Sequence, residues 1–290
     1  MRIAILTDSA ANLSQTVIET LNINVISVPI VINGTTYRED VDLTFEEYKK
    51  LVEQDETTPT VAQLTVEELA SRLKQIAAEG YDAVLGIHSA SGLSTLGSHL
   101  RACGELVDNL AIYTFDTQAI GLVQGQIAQA AALLVAKGDS IEMIIEKLTR
   151  LRDQTQTFIS LDDLRTLTKT GYISNGASPF SNLLLPVKTI LYINKEGQLE
   201  ALNTQVRSKK AYEELQSWIF SVYDNYEDKM RLTIMGDYES KEFQEQWAPN
   251  LQIDFPKAHF TYGKLSPSIA VHMGVKSFVV SWGLDWKQLQ

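Results

Sequence analysis

The segment LGIHSASGLS, Leu85 to Ser94, is apolar for its first three positions and then turns small and hydroxyl-rich. His88, Ser89, Ser91 and Ser94 can all hydrogen-bond, and Gly92 stands among them. Hydroxyls and backbone amides gathered in this way can solvate a carboxylate without a formal positive charge, avoiding the cost of burying a bare ion. Two other places have the same texture. Thr7-Asp8-Ser9 and Asp116-Thr117 each stand where an apolar run gives way to a helical pattern. A helix entered from such a turn has first-turn amide hydrogens with no intrahelical partner, so the three turns together could receive an anion. The same residue types are the preferred helix N-caps. From the residues alone both readings stand, although capping needs one hydroxyl and the 89–94 turn has three serines.

The second half offers KLSPSIAVHMG, with Ser266, Ser268 and His272 near a short helix start, where a lone histidine can equally be a packed side chain. Basic residues cluster in QVRSKKAY; Arg207, Lys209 and Lys210 there read as a solvated face, with Arg207 carried forward as a supporting site residue. Nucleotide signals are missing: neither Gly-x-Gly-x-x-Gly nor Gly-Lys-Ser/Thr follows the first strand. The nucleophile elbow Gly-x-Ser-x-Gly is absent as well. His88, His99, His259 and His272 lack the spacing of a metal site. No metal and no cofactor is expected. A Ser94/His272/Asp116 triad can be drawn, but nothing in the sequence shows that the three meet.

These residues need a frame. RIAILTDS, YDAVLGIHS and LAIYTFDT read as buried strands, and helical patterns separate them. Thr44 with Glu47, and Thr65 with Glu68, form capping boxes at two helix starts; Gly80 and Gly138 stop two helices. Strand and helix alternating at this spacing predict βαβ units, a mostly parallel, Rossmann-like sheet with helices on both faces. Ligands gather outside the carboxyl ends of such strands, which is where the three hydroxyl-bearing turns fall. Gly121 and Gly125, four apart, suggest close packing of a helix. NVISVPIVINGTTY reads as one extended stretch closed by an Asn33-Gly34 turn.

Beyond about residue 157 the texture changes. KTILYINKEGQLEALNTQVR reads as a hairpin around Lys195-Glu196-Gly197, SKKAYEELQSWIFSVYDNY as an amphipathic helix capped by Ser208, and SPSIAVHMG as a short helix with Pro267 in its first turn. The chain is expected to be α/β, with domains 1–157 and 158–290, the second carrying a mixed or antiparallel sheet. A formal net charge of −11 over 290 residues argues against nucleic acid and against electrostatic attachment to anionic lipid. No run reaches the roughly 18 apolar residues of a membrane span. Cys103 is the single cysteine and reads as a buried apolar side chain, so a reducing, cytoplasmic setting is expected.

At this point six fragments in order resemble the DegV family of bacterial fatty-acid-binding proteins, which present an acyl chain to a fatty acid kinase. AILTDSAANL is similar to the family's opening strand and Asp-Ser turn, SASGLSTLGS to its Ser-Ser-x-Leu-Ser-Gly-Thr loop, and YTFDTQAIGLVQG to its central Asp-Ser/Thr with the glycine-bearing helix. LRTLTKTGYIS, LLPVKTIL and SPSIAVHMG resemble the Leu-x-x-Gly-Gly-Arg-Ile-Ser, Lys-Pro-Ile and Gly-Pro-x-Ile-x-x-His-x-Gly patterns. The resemblance runs over essentially the whole chain. It implies a two-domain binder with a long-chain fatty acid, or a related lipid, in a tunnel between the domains and no activity of its own.

The carboxylate would meet Ser91, Gly92 and Ser94, with His272 and Thr60 close by and Asp8, Ser9, Asp116, Thr117 and Arg207 in support. A fatty acid kinase would be the partner, and the ligand would exchange transiently with membranes. At roughly 0.8 kcal/mol per buried methylene, a chain of about 15 gains about 12 kcal/mol before association costs. Two readings compete: a serine-dependent hydrolase or acyltransferase using Ser94 or Ser91, and a regulatory paralogue whose lipid site is vestigial or altered. The chain also departs from the family. Val61-Ala62-Gln63-Leu64-Thr65 stands where Thr-Ser-Gln-Pro-Ser is usual, Thr170 replaces the first glycine and Tyr172 the arginine of Gly-Gly-Arg, and HMGVK lacks the usual Pro-Gly.

Overall fold

The structure, a computed structural model, describes residues 1–54, 58–161, 167, 188–205, 208–236 and 240–289. In the first half, strands β1 (Ile3–Asp8), β2 (Ile23–Ile26), β6 (Ala83–His88) and β7 (Ala111–Asp116) form a parallel sheet in the order β2-β1-β6-β7. Every residue of β1 and β6 is buried, as expected of strands covered on both faces. Alternation sends successive side chains to opposite cores. Ile3, Ile5, Leu85 and Ile87 pack with α5 (Leu122–Lys137) and α6 (Ile141–Asp153), whereas Ala4, Leu6 and Val84 pack with α3 (Val66–Ala78) and α4 (Leu96–Ala102). Asp8, His88 and Asp116 consequently end their strands along one sheet edge, with His88 and Asp116 in register.

The stretch expected to be one extended run divides at Ser27-Val28. β2 stays in the parallel sheet, while β3 (Pro29–Ile32), β4 (Thr35–Arg38) and β5 (Thr60–Val61) form a separate antiparallel sheet, order β4-β3-β5. The break is built from side chains. Val28 N–H donates to Ser9 Oγ (2.9 Å), Ser27 Oγ donates to Glu39 O (2.6 Å), and Pro29 has no N–H to continue a ladder. Asn33 and Gly34 both take positive φ, 50° and 78°, as a two-residue hairpin turn requires.

The second half is a six-stranded sheet, order β10-β9-β8-β13-β11-β12. Its strands are β8 (Gln156–Leu161), β9 (Lys188–Ile193), β10 (Leu199–Gln205), β11 (Met230–Met235), β12 (His259–Gly263) and β13 (Phe278–Leu284). Only β11 and β12 pair in parallel. One face packs Phe158, Ile190 and Trp282 under α7 (Ser208–Tyr226) and α8 (Ala248–Asp254). The other presents Ile159, Leu161, Leu191 and Val279 to Ile30, Ile32, Phe45 and Ile120 of the first half and to α9 (Pro267–Met273). That core is shared by the two halves.

Both capping boxes form: Glu47 N–H and Glu68 N–H donate to Thr44 Oγ1 (3.3 Å) and Thr65 Oγ1 (3.2 Å), and each glutamate receives the N–H of its cap residue. Ser208, expected to cap α7, instead donates its hydroxyl to Glu242 and accepts from Trp247 Nε1 (3.1 Å). The Trp247 N–H thus takes up the oxygen that a cap would offer to the helix amides. Gly125 packs closely as expected, since a Cβ there would lie 2.3 Å from Ala11 O. Cys103 is fully buried.

Candidate functional site

Gln124, a fully buried amide on the mostly apolar α5, organises the sheet edge. Its Oε1 accepts from Ser89 Oγ (2.5 Å), and its Nε2 donates to Thr7 Oγ1 (2.9 Å) and Asp8 Oδ1 (2.9 Å). Thr7 Oγ1 in turn donates to Ile87 O (2.8 Å). These contacts fix which end of the amide faces Asp8. Burial pushes the Asp8 carboxyl up to about 6, against hydrogen bonds from Gln124 and the Ala10 backbone that favour the charged form.

Two clefts meet at this point. One is walled by Ile120, Ile269 and Met273 and carries Ser268 and His272. The other runs past Ala62, Gln63, Thr95 and His99. Asp8, Val28, Val61, Leu93 and Ser94 line both. Ser94 Oγ accepts from Leu96 N–H (3.2 Å), which leaves its own hydrogen to donate. Among the described residues no lysine or arginine lines either cleft.

The α9 side is held by a buried acid that the sequence analysis passed over. Glu39, fully buried, accepts from Ser9 Oγ at Oε2 (2.5 Å) and from Ser268 N–H at Oε1 (2.6 Å), joining the loop after β1 to the first turn of α9. Burial drives its carboxyl up to about 7. Ser266 Oγ caps α9 by accepting from Ile269 N–H (3.4 Å) and lies 3.2 Å from Ser268 Oγ. Burial pulls the His272 imidazole down to about 4, so it is neutral at pH 7.

The structure therefore brings together Asp8, Ser94 and His272, with Ser9 behind them. It does not bring Ser91, Gly92 or Thr60 to the clefts. Ser91 is exposed; its N–H donates to Asp116 Oδ2 (3.2 Å) and its hydroxyl to Glu196 O (3.4 Å), while Gly92 N–H donates to Gly197 O (3.0 Å). In the turn at 90–94, Leu93 and Ser94 line the clefts, whereas Ser91 meets the β9–β10 hairpin. Thr60 is exposed on β5, and its neighbour Val61 lines the clefts instead.

Asp116 accepts from Gln118 N–H (2.8 Å) and Ser91 N–H, which takes it out of the imagined triad. Thr117 Oγ1 donates to His88 O (2.9 Å) and ties β7 to β6. Arg207, Thr170 and Tyr172 lie outside the described residues. Of the residues missed, Gln124 stands in the sequence among three glutamines of a mostly apolar helix, and only the fold singles it out, since Gln126 turns to Thr233 instead. Glu39 gave no signal either, because the acidic run RED reads as a solvated turn.

Chemically, hydroxyl donors and a neutral imidazole stand at the head of an apolar-walled cleft. That arrangement suits an amphiphile with an oxygen-bearing head.

Residues 2–284 match the family model described as "Uncharacterised protein, DegV family". A DegV domain-containing protein of Listeria innocua is 29% identical over 283 residues, covering 98% of this chain and 99% of that relative. Among solved structures, DegV of Bacillus subtilis, described as a fatty acid binding protein, aligns with TM-score 0.86 at 28% identity over 98% of this chain and 99% of its own. A fatty acid binding DegV family protein, SAG1342 of Streptococcus agalactiae, aligns with TM-score 0.88 at 27% identity, covering 98% and 99%. With its parallel sheet, its mixed sheet and a family match over nearly its full length, the chain belongs to the DegV family.

Proposed function

We propose that this protein binds a long-chain fatty acid, or a closely related lipid, between domains 1–157 and 158–290. The carboxylate lies at Ser94, with His272 and Ser268 beside it. The observation that carries the reading is the position of Ser94: its hydroxyl has a hydrogen to donate at the junction of an apolar cleft walled by Ile120, Ile269 and Met273 and a more polar one. Relatives whose descriptions name fatty acid binding support it. Val61 and Ala62 make the junction less polar than the family pattern implies, so more of the head-group contact falls on Ser94. In this reading the protein performs no chemistry. It acts in the cytoplasm, exchanges ligand transiently with membranes, and presents the acyl chain to a fatty acid kinase.

Protein purified from a bacterial host, extracted with organic solvent and examined by mass spectrometry, is expected to carry acyl species that exchange with added fatty acid. No acyl species and no uptake would refute the reading. Formation of acyl phosphate on addition of a fatty acid kinase and ATP tests the partner separately.

A further inference from the structure

Asp8 occupies a place that an acid ligand makes difficult. It is 4% exposed, lines both clefts, and shares their junction with Ser94. Two carboxylates meeting in a poorly hydrated space repel strongly, and one of them must hold a proton unless a cation intervenes. No such cation is found among the described residues. On α9 the facing titratable group is His272, which is neutral at pH 7. On β6 it is His88, whose Nδ1 lies 2.8 Å from Ser89 O and whose imidazole burial also pulls down. On α4 it is His99, with Nδ1 2.7 Å from Leu64 O. The β7 end brings Asp116, held by Gln118 and Ser91, and the loop after β4 brings Glu39, held by Ser9 and Ser268. α5 contributes only the neutral Gln124.

The orientation of Gln124 settles where a proton would sit. Asp8 Oδ1 accepts from Gln124 Nε2, and Gln124 cannot turn over without losing Thr7 Oγ1, whose own hydrogen is already given to Ile87 O. With Oδ1 taken by that amide, the arrangement argued for below puts the hydrogen of Asp8 on Oδ2. From there it can be given in a hydrogen bond to a carboxylate oxygen while Ser94 Oγ donates to the same group.

Resting on the fatty-acid reading above, we propose that Asp8 and the bound carboxylate share one proton as an acid–carboxylate pair, so that acyl binding takes a proton from solution. Written out, the Asp8 carboxylate, the ligand carboxylate and one proton combine to a pair of net charge −1, with no covalent bond made or broken. The pair titrates as a unit. Asp8 is thus the residue that selects an acid head over a neutral one at low pH and weakens the grip as pH rises. Burial, which raises the Asp8 carboxyl to about 6 in the free protein, leaves it ionised at pH 7 to 9 yet easier to protonate than in water when the ligand arrives.

The test uses delipidated full-length protein and dodecanoate, a soluble probe, titrated calorimetrically between about pH 7 and 9. The wild type is expected to lose about tenfold in affinity per pH unit, and buffers of different ionisation heat should report uptake of about one proton. Dodecanol should bind with no pH dependence. Asp8→Asn, whose amide can donate in place of the shared proton, should bind dodecanoate with a flat profile. Glu39→Gln should keep the slope whatever its affinity. A flat wild-type profile without proton uptake overturns the proposal even if every variant misfolds, and so does a slope that survives in Asp8→Asn. No dodecanoate binding at any pH would instead overturn the fatty-acid reading, and this proposal with it.

Discussion

Glu39 shows how a single side chain can tie the two halves together and set a pH dependence. Its two oxygens reach Ser9 and Ser268, 229 positions apart in the case of Ser268. Its folded value, about 7, lies above the ordinary 4.5, so the folded chain holds that proton more tightly than the unfolded one. The stability it contributes is complete below about pH 4.5 and is lost as pH rises through about 7. The gap corresponds to about 3 kcal/mol. Asp8, raised from 3.8 to about 6, acts in the same direction. His272, lowered from 6.5 to about 4, acts in the opposite one: its contribution is present above pH 6.5 and lost as pH falls through about 4. Glu39→Gln is therefore expected to flatten the fall in stability between about pH 5 and 8, measured by denaturant unfolding. An unchanged slope would refute that account. Nothing local in YREDVDL announces this role, because burial of Glu39 depends on α9, which the chain supplies only at its far end.

At the scale of elements, the serine loop and the β9–β10 hairpin form a strap across the sheet edge. Gly92 N–H donates to Gly197 O, Ser91 Oγ to Glu196 O, and Gln118 Nε2 to Lys195 O. A Cβ on Gly92 would lie 2.5 Å from Gly197 O, a backbone atom that cannot swing aside. Gly92→Ala should therefore displace the hairpin and cost about 1–3 kcal/mol. Ser91→Ala removes one long, exposed hydrogen bond and should cost less than about 0.5 kcal/mol. Thermal melts and amide exchange at Asn194 to Gln198 read both effects, and equal stability of the two variants would contradict the strap. Elements with local signals were legible in advance: the Thr44/Glu47 and Thr65/Glu68 boxes, the Asn33-Gly34 turn and the Lys195-Glu196-Gly197 hairpin all involve residues within a few positions. The two-residue β5 and the hydroxyl of Ser208 were not, since their partners Val31 and Glu242 lie far away in sequence.

At the scale of the whole molecule, periodic alternation of strand and helix exposed the parallel sheet, and the rule that ligands gather at carboxyl strand ends led to the edge where Asp8 and Ser94 line the clefts. It could not tell Ser91 from Ser94, because which side chain faces the cleft depends on the register of the turn against a hairpin a hundred residues on. The consequence for the molecule is that the proposed ligand site lies beside a core that both halves share, where Ile120 of the first half meets Ile269 and Met273 of α9. A ligand filling that cleft binds only the assembled fold, so its binding energy adds to the stability of both halves together. At free ligand of 100 times Kd the gain is about 2.7 kcal/mol, and for a chain of this size each kcal/mol raises Tm by about 2–4 °C. Delipidated protein should melt roughly 5–10 °C below protein saturated with fatty acid, with the parallel and the mixed sheet shifting together. Tryptophan fluorescence follows the second half, where Trp218, Trp247, Trp282 and Trp286 all lie, and amide exchange in β1 and β6 follows the first. A shift confined to one of the two probes would mean that the ligand is held by one half alone, and the shared-cleft site would fall.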